Sequence, residues 1–217
     1  MKYKPEDIPE ITIGRLSIYI HILKLLEERN INMISSNQLA SLSHTNAVSI
    51  RKDLSYFGEF GKKHIGYDVK ALIKAIKIIL KTDKENCFII IGYGNMGTAI
   101  AHFPGLAKDN FILKGVFDND ENKIGQKALN GIRISDIKDI HSFLNRNNIQ
   151  LAVLATPLNV AQITADKIIN AGIEGILNMT GKQIIVPKDK FVYDFNITTG
   201  FEWLSYFTYK KEQYNDH

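Results

Sequence analysis

Apolar residues in the first third of the chain recur at helical spacing, while those of the remainder gather into short β-branched runs separated by helical stretches. Ile13, Leu16, Ile20, Leu23 and Leu26 share one face of a predicted helix over 11–28, entered at Pro9 and left at Arg29-Asn30. Ser35 and Gln38 stand at capping-box spacing ahead of a short helix through Leu42. Ser43-His44-Thr45 turns the chain, and Thr45 or Asn46 caps a third helix through Phe57, with Ala47, Ile50, Leu54 and Phe57 inward. Three helices with a tight turn between the last two make a helix-turn-helix arrangement. The glycine-punctuated segment 58–67 reads as a β-hairpin wing, and Asp68 caps a fourth helix over 69–80, striped by Leu72, Ile73, Ile76 and Ile79 or Leu80.

The polar stretch 81–86 marks a domain boundary. Beyond it, strands are predicted over 88–91, 111–117, 150–155 and 175–178, with helices over 136–146 and 160–171 between them. A short extended pair, 184–186 and 191–193, follows. This alternation predicts an α/β fold with a doubly wound, mostly parallel sheet. The expected domains are 1–80, 86–195 and a carboxy-terminal helix within 196–217.

The sheet's first strand ends in Gly92-Tyr93-Gly94-Asn95-Met96-Gly97, and a helical pattern opens at once. Strand, G-x-G-x-x-G turn and helix are the parts of a Rossmann-type dinucleotide site: Gly92 makes the tight turn, Gly94 lets backbone approach a pyrophosphate, and Gly97 lets helix and strand pack closely. N–H groups at the helix start then face the phosphates. The next strand ends in Asp118, roughly twenty residues past the last glycine, where an acid takes the adenosine ribose hydroxyls. Asn119 and Asp120 follow, with no arginine to receive a 2′-phosphate, so NAD(H) is expected over NADP(H). The alternative is that Asp118 caps a loop. Thr156-Pro157 and Asn178-Met179-Thr180 leave the carboxyl ends of later strands, at the crevice where a nicotinamide half belongs.

Charge sharpens the picture of the first domain. Net charge is +4, and counting along the sequence places 14 Lys+Arg against 10 Asp+Glu in residues 1–85, with 13 against 13 after them. The excess suits nucleic-acid contact. On the third helix, Ser49, Arg51, Lys52, Ser55 and Tyr56 point away from the inward face and offer donors to base edges and phosphates; Lys62 and Lys63 do so at the wing. A solvated helix face is the alternative. Cys87 is the only cysteine, which leaves no intrachain disulfide or zinc–cysteine cluster. No apolar run spans a bilayer and the start lacks a signal-peptide core, so a cytoplasmic protein without membrane contact is expected. The tail crowds Ile197, Phe201, Trp203, Leu204, Tyr206 and Phe207 onto well over half of one helix, which calls for burial against a second copy of the chain.

These strings resemble the Rex family of redox-sensing transcriptional repressors nearly end to end. The resemblance is carried by Ile13-Gly14-Arg15-Leu16, by Ile50-Arg51-Lys52-Asp53-Leu54-Ser55-Tyr56-Phe57-Gly58, by the segment from Gly61 to Tyr67, by the glycine loop, and by the segment from Gly172 to Asn178. It implies a homodimer of winged-helix and Rossmann-type domains with exchanged carboxy-terminal helices. Such a dimer binds palindromic double-stranded operator DNA when NAD+ predominates and releases it when NADH binds. It also implies that Phe103 and Phe195, the latter from the second copy, line the nicotinamide pocket. Burying an unpaired charge is costly, so an apolar slot favours the neutral reduced ring over the cationic oxidised one.

Two positions depart from the family. Phe103 stands where tyrosine is usual, and His21 stands where arginine is usual. In the family both groups compete for the aspartate corresponding to Asp194. Here one hydrogen bond is lost and the ion pair depends on a histidine, a side chain that ordinarily titrates near pH 6.5, so a weaker switch is expected. An NAD-dependent dehydrogenase is the enzymatic alternative, but no acid–base constellation accompanies the glycine loop; a catalytic role for His102 is not expected. A CoA- or nucleotide-binding regulatory module is the other. No metal-ligand cluster or serine triad is visible.

Overall fold

The computed structural model describes residues 8–61 and 65–215, with side chains through Tyr209. It divides into two compact units, Met1–Glu85 and Asn86–His217.

The first unit is built from α1 (Glu10–Glu28), β1 (Met33–Ile34), α2 (Ser36–Leu42), α3 (Ala47–Ser55), β2 (Tyr67–Asp68) and α4 (Val69–Ile79). Side-chain caps start the last three helices. Ser35 and Gln38 close a reciprocal capping box on α2, Asn46 accepts from the Ser49 N–H at 2.8 Å, and Asp68 accepts from the Ala71 N–H at 2.8 Å. Thr45 takes no part in capping α3, which ends at Ser55, two residues short of Phe57.

Leu16, Tyr19, Leu23, Leu39, Ile50, Leu54, Leu72 and Ile76 form one core, with Ala47 and Phe57 packed at its edge. Ile13, expected inward, is 37% exposed. Thr12 and Tyr19 take the inner face of α1 instead, because they hydrogen-bond to the buried Asp53 of α3. Within the expected wing, 58–67, residues 62–64 lie outside the described residues; Tyr67 at its end belongs to β2, which pairs antiparallel with β1, ahead of α2. Gly66 makes that pairing feasible. Its φ is +100°, and a Cβ there would come within 2.5 Å of the Ile34 carbonyl oxygen.

The second unit is a wholly parallel six-stranded sheet. Its strands are β3 (Asn86–Ile91), β4 (Phe111–Asp118), β5 (Ile134–Asp136), β6 (Leu151–Leu154), β7 (Gly175–Asn178) and β8 (Phe191–Asp194), in the order β5-β4-β3-β6-β7-β8. The order reverses between β3 and β6, which opens a crevice at their carboxyl ends. Burial on both faces explains the unbroken apolar runs: Ile89 and Ile91 face one core, Phe88 and Ile90 the other. Helices α5 (Asn95–Ala101), α6 (Pro104–Lys108), α7 (Ile140–Leu144) and α8 (Ala161–Asn170) complete the layers.

The predicted helix over 136–146 is present as a 3-10 turn over Ile137–Asp139 running into α7, capped by Asp136, where β5 ends its pairing with Val116–Asp118. One expectation fails here. Residues 184–186 form no strand. Ile184 is buried in the core, while the Gln162 side chain on α8 takes both backbone groups of Ile185, at 2.9 and 2.8 Å, in place of a ladder partner. The last element, α9 (Ile197–Asn215), is exposed at every position from Ile197 to Tyr209. No helix among the described residues is long and apolar enough to cross a membrane.

Phe117 is fully buried and packs edge-on to Phe143 at 5.2 Å between ring centroids. Phe117→Ala should destabilise the second unit by about 3–5 kcal/mol, read as a lower urea midpoint by far-UV circular dichroism.

Candidate functional site

The crevice of the second unit is shaped first by its glycines. Gly92 has φ +93°, and its N–H donates to the Phe117 carbonyl at 2.7 Å. A Cβ on Gly92 would reach the Ala155 carbonyl oxygen at 2.5 Å; one on Gly97 would collide with the carbonyl oxygen of Gly92. Gly94, between them, faces open space. Helix α5 starts directly behind, and the first N–H groups of a helix have no acceptor within it. Tyr93 is half-buried, while Asn95 and Met96 are exposed at the mouth.

Asp118 closes the loop from the neighbouring strand. Its Oδ2 accepts from the Tyr93 N–H at 2.8 Å and from Lys123 Nζ at 3.1 Å; its Oδ1 accepts from the N–H groups of Asn119 and Asp120 at 2.8 and 3.0 Å. Four donors match the four acceptor positions of a carboxylate. Burial pushes the Asp118 carboxyl up, but the Tyr93 and Asp120 N–H groups and the Lys123 ammonium outweigh it and hold the group below the usual carboxylate range. The loop-capping reading of Asp118 is thus an observed geometry, and Lys123 is a partner that the sequence reading did not single out.

The remaining crevice residues divide into two groups. Thr156 follows β6 closely, and its Oγ1 is buried with no hydrogen-bond partner among the described residues. Pro157 beside it is exposed, as are Phe103 at 58% and Phe195 at 44%. Asn178, by contrast, is 2% exposed and its amide is fully engaged. Nδ2 donates to the Lys182 carbonyl at 2.7 Å and to Asp194 Oδ1 at 2.6 Å, while Oδ1 accepts from the N–H and hydroxyl of Thr180. It therefore orients Asp194 across the β7–β8 pair. The His102 ring lies on its own helix, with Nδ1 2.8 Å from the Thr98 carbonyl oxygen.

In the first unit, α3 presents Arg51, Lys52 and Ser55 to solvent, with Ser49 and Tyr56 half-buried at its ends. Arg51 Nη1 donates to Ser36 Oγ at 3.0 Å, which draws it toward the start of α2. A groove of about 480 Å³ opens there, lined by Ser35, Ser36, Arg51, Ser55, Phe60 and Tyr67 among others. Lys62 and Lys63 lie outside the described residues. His21 is exposed on α1.

Comparison with known proteins places both units. Residues 7–55 match the family model described as "Putative DNA-binding protein N-terminus", and residues 83–181 match the "CoA binding domain" model. Over 201 residues the chain is 37% identical to the redox-sensing transcriptional repressor Rex 1 of Thermotoga maritima, covering 93% of this chain and 96% of that relative. The chain belongs to the Rex family of redox-sensing transcriptional repressors. Solved structures of RSP, a Rex-family repressor, agree with it in fold. The RSP complex with β-NADH matches at a TM-score of 0.88 and 32% identity, covering 96% of this chain and 98% of that one. The RSP complex with β-NAD+ and operator DNA matches at 0.86 and 33%, covering 96% of each.

One residue was read only within a family string and given no role of its own. Asp53 sits between Arg51, Lys52 and Leu54 on α3, yet it is 1% exposed. The signal was available in the spacing: Ile50, Asp53, Leu54 and Phe57 fall on one helical face, so an acid occupies an inward position.

The lowered carboxyl of Asp118 makes a stability prediction. A depressed folded value means that its contribution is complete above the unfolded value, near 3.9, and is lost as pH falls through the folded one. Asp118→Asn should therefore be less stable than the parent at pH 7, with the difference shrinking as the pH is taken below about 4. Urea midpoints of both proteins at each pH check this.

Proposed function

We propose that this Rex-family chain is a homodimeric, non-enzymatic repressor that reads the balance of NADH and NAD+. It holds a palindromic operator through α3 while NAD+ predominates and leaves it when NADH occupies the crevice. The observation that carries this reading is the agreement of fold, over nearly the whole chain, with a relative holding NAD+ and operator DNA.

The crevice fits a dinucleotide on its own geometry. Gly94 leaves open space at the start of α5, and Thr156 Oγ1 is buried there without a partner. In this reading the Gly92–Gly97 backbone and the first N–H groups of α5 face the pyrophosphate, and Thr156 and Pro157 border the nicotinamide half. Asp118 meets the adenosine ribose if it exchanges one of its four donors. Lys123, whose side chain is 36% exposed, is the partner free to swing away. Bound dinucleotide supplies a change in ring charge, cationic when oxidised and neutral when reduced. Phe103 and Phe195 offer it an apolar wall and no counter-charge, and burying an unpaired charge is costly. Asn178 serves at second hand, by holding Asp194, the carboxylate of the proposed switch.

Dimerisation through exchanged α9 helices is supported by the exposed row of Ile197, Phe201, Trp203, Leu204, Tyr206 and Phe207, which a second copy would cover. On α3, Arg51 and Lys52 read and anchor DNA, with Ser49, Ser55 and Tyr56 beside them and Lys62 and Lys63 on the following segment.

Operator affinity at fixed salt should fall steeply with NADH, weakly with NAD+, and not at all with CoA; an affinity indifferent to all three refutes the reading. Arg51→Ala should cost about 1–3 kcal/mol of operator binding and relax sequence preference, measured by competition with unrelated duplex. Phe103→Tyr gives Asp194 a hydroxyl partner in the NADH state and should lower the NADH concentration at half-release several-fold, since a ligand shifts two states only by its differential affinity for them. The same titration on the variant checks it.

A further inference from the structure

Among the described residues, all four hydrogen bonds to the Asp53 carboxylate come from one element. Thr12 Oγ1 donates to Oδ1 at 3.1 Å and Tyr19 Oη to Oδ2 at 2.8 Å. Arg15 grips both oxygens, Nη2 on Oδ1 at 2.6 Å and Nε on Oδ2 at 2.7 Å. Thr12, Arg15 and Tyr19 occupy successive turns of α1, and Asp53 directly follows Arg51 and Lys52 on α3. The carboxylate is 1% exposed, while the Arg15 side chain is 26% exposed at the rim.

Such a pair is a poor device for stability alone. Removing two charges from water offsets most of what their attraction returns, and apolar residues of similar size often serve a core as well or better. What it adds is direction. Ile50 and Leu54 attach α3 to the core by apolar contact, which resists separation but is non-directional. A planar bidentate guanidinium–carboxylate pair, flanked by two hydroxyl donors, fixes both the roll and the axial position of the helix that carries it.

We propose that Asp53 is a positioning residue for DNA reading: clamped to α1 by Arg15, Tyr19 and Thr12, it sets the pose in which α3 offers Arg51 and Lys52 to base edges. This rests on the DNA-reading role given to α3 above. Loosening the clamp lets α3 roll on its apolar seat. Contacts to base edges need fixed geometry and are lost, whereas contacts to phosphates tolerate the roll and persist.

The test uses the full-length protein and two probes. One is a palindromic duplex enriched by the wild type from a random-sequence library; the other is a scrambled duplex of equal length. Tyr19→Phe, Arg15→Lys and Asp53→Asn loosen the clamp in increasing degree. Arg15→Lys keeps the charge but replaces the fork by a point. The ratio of affinities, palindrome over scrambled, should fall about threefold for Tyr19→Phe and tenfold or more for Arg15→Lys. Affinity for the scrambled duplex, its salt slope and NADH affinity should stay at wild-type values. Asp53→Asn should lie beyond Arg15→Lys; if it does not fold, the two milder variants still decide the matter. A merely structural role would lower both affinities together, in step with the folded fraction, and that result overturns the proposal. So does an unchanged ratio in folded Arg15→Lys. If the wild type enriches no palindrome at all, the DNA-reading role falls first, and this inference with it.

Discussion

The α-carbon of Gly97 lies so close to the carbonyl oxygen of Gly92 that no side chain fits between them, and the architecture of the second unit follows from that approach. Because α5 can press against the end of β3, the loop between them is short and its middle, at Gly94, is left open. Gly92 adopts a positive φ in the same turn and lies against the Ala155 carbonyl at the end of β6. The reversal in sheet order between β3 and β6 opens the crevice, and backbone packing at the glycines shapes it.

Acidic and amide side chains then tie elements that apolar packing alone would leave adjustable. Thr12, Asp53, Asp118 and Asn178 are the buried polar residues among those described, and each belongs to a saturated hydrogen-bond cluster. Asp53 joins α3 to α1, Asp118 joins β4 to the glycine loop, and Asn178 joins β7 to Asp194 on β8. A buried polar group without partners is costly, so saturation is a condition of burial. The same condition makes each cluster specific, because only one arrangement satisfies all its members. In Tyr19 the effect extends to the phenol, whose pKa is pushed well above its ordinary value by burial and by the neighbouring Asp53.

The orphaned hydroxyl of Thr156 stands out against this background of satisfied groups. So does α9, whose aromatics stack mainly on one another, Trp203 on Phe207 at 4.5 Å and Tyr206 on Phe207 at 5.1 Å. One is a polar atom and the other an apolar surface, and both are left incomplete within the single chain. A dinucleotide would complete the first and a second copy the second, which is how the proposed function draws on two unrelated features of the fold.

The sequence by itself determined the elements whose causes are local. The capping box at Ser35 and Gln38, the Asp68 cap, the glycine loop and the apolar runs of β3, β4, β6 and β7 are set by residues within a few positions of one another, and they were legible as such. The Rex strings added the family, since they lie within continuous segments. Tertiary structure decided whatever depends on a distant partner. Strand β5 exists because β4 is beside it, residues 184–186 are held by Gln162 instead of by a strand, and β2 pairs with β1 across the whole of α2 and α3. The bonding of Asp118 to Tyr93 and of Asp53 to Arg15 belongs to the same class. Periodicity records which face of an element is apolar; it carries no record of which remote donor a buried carboxylate will find.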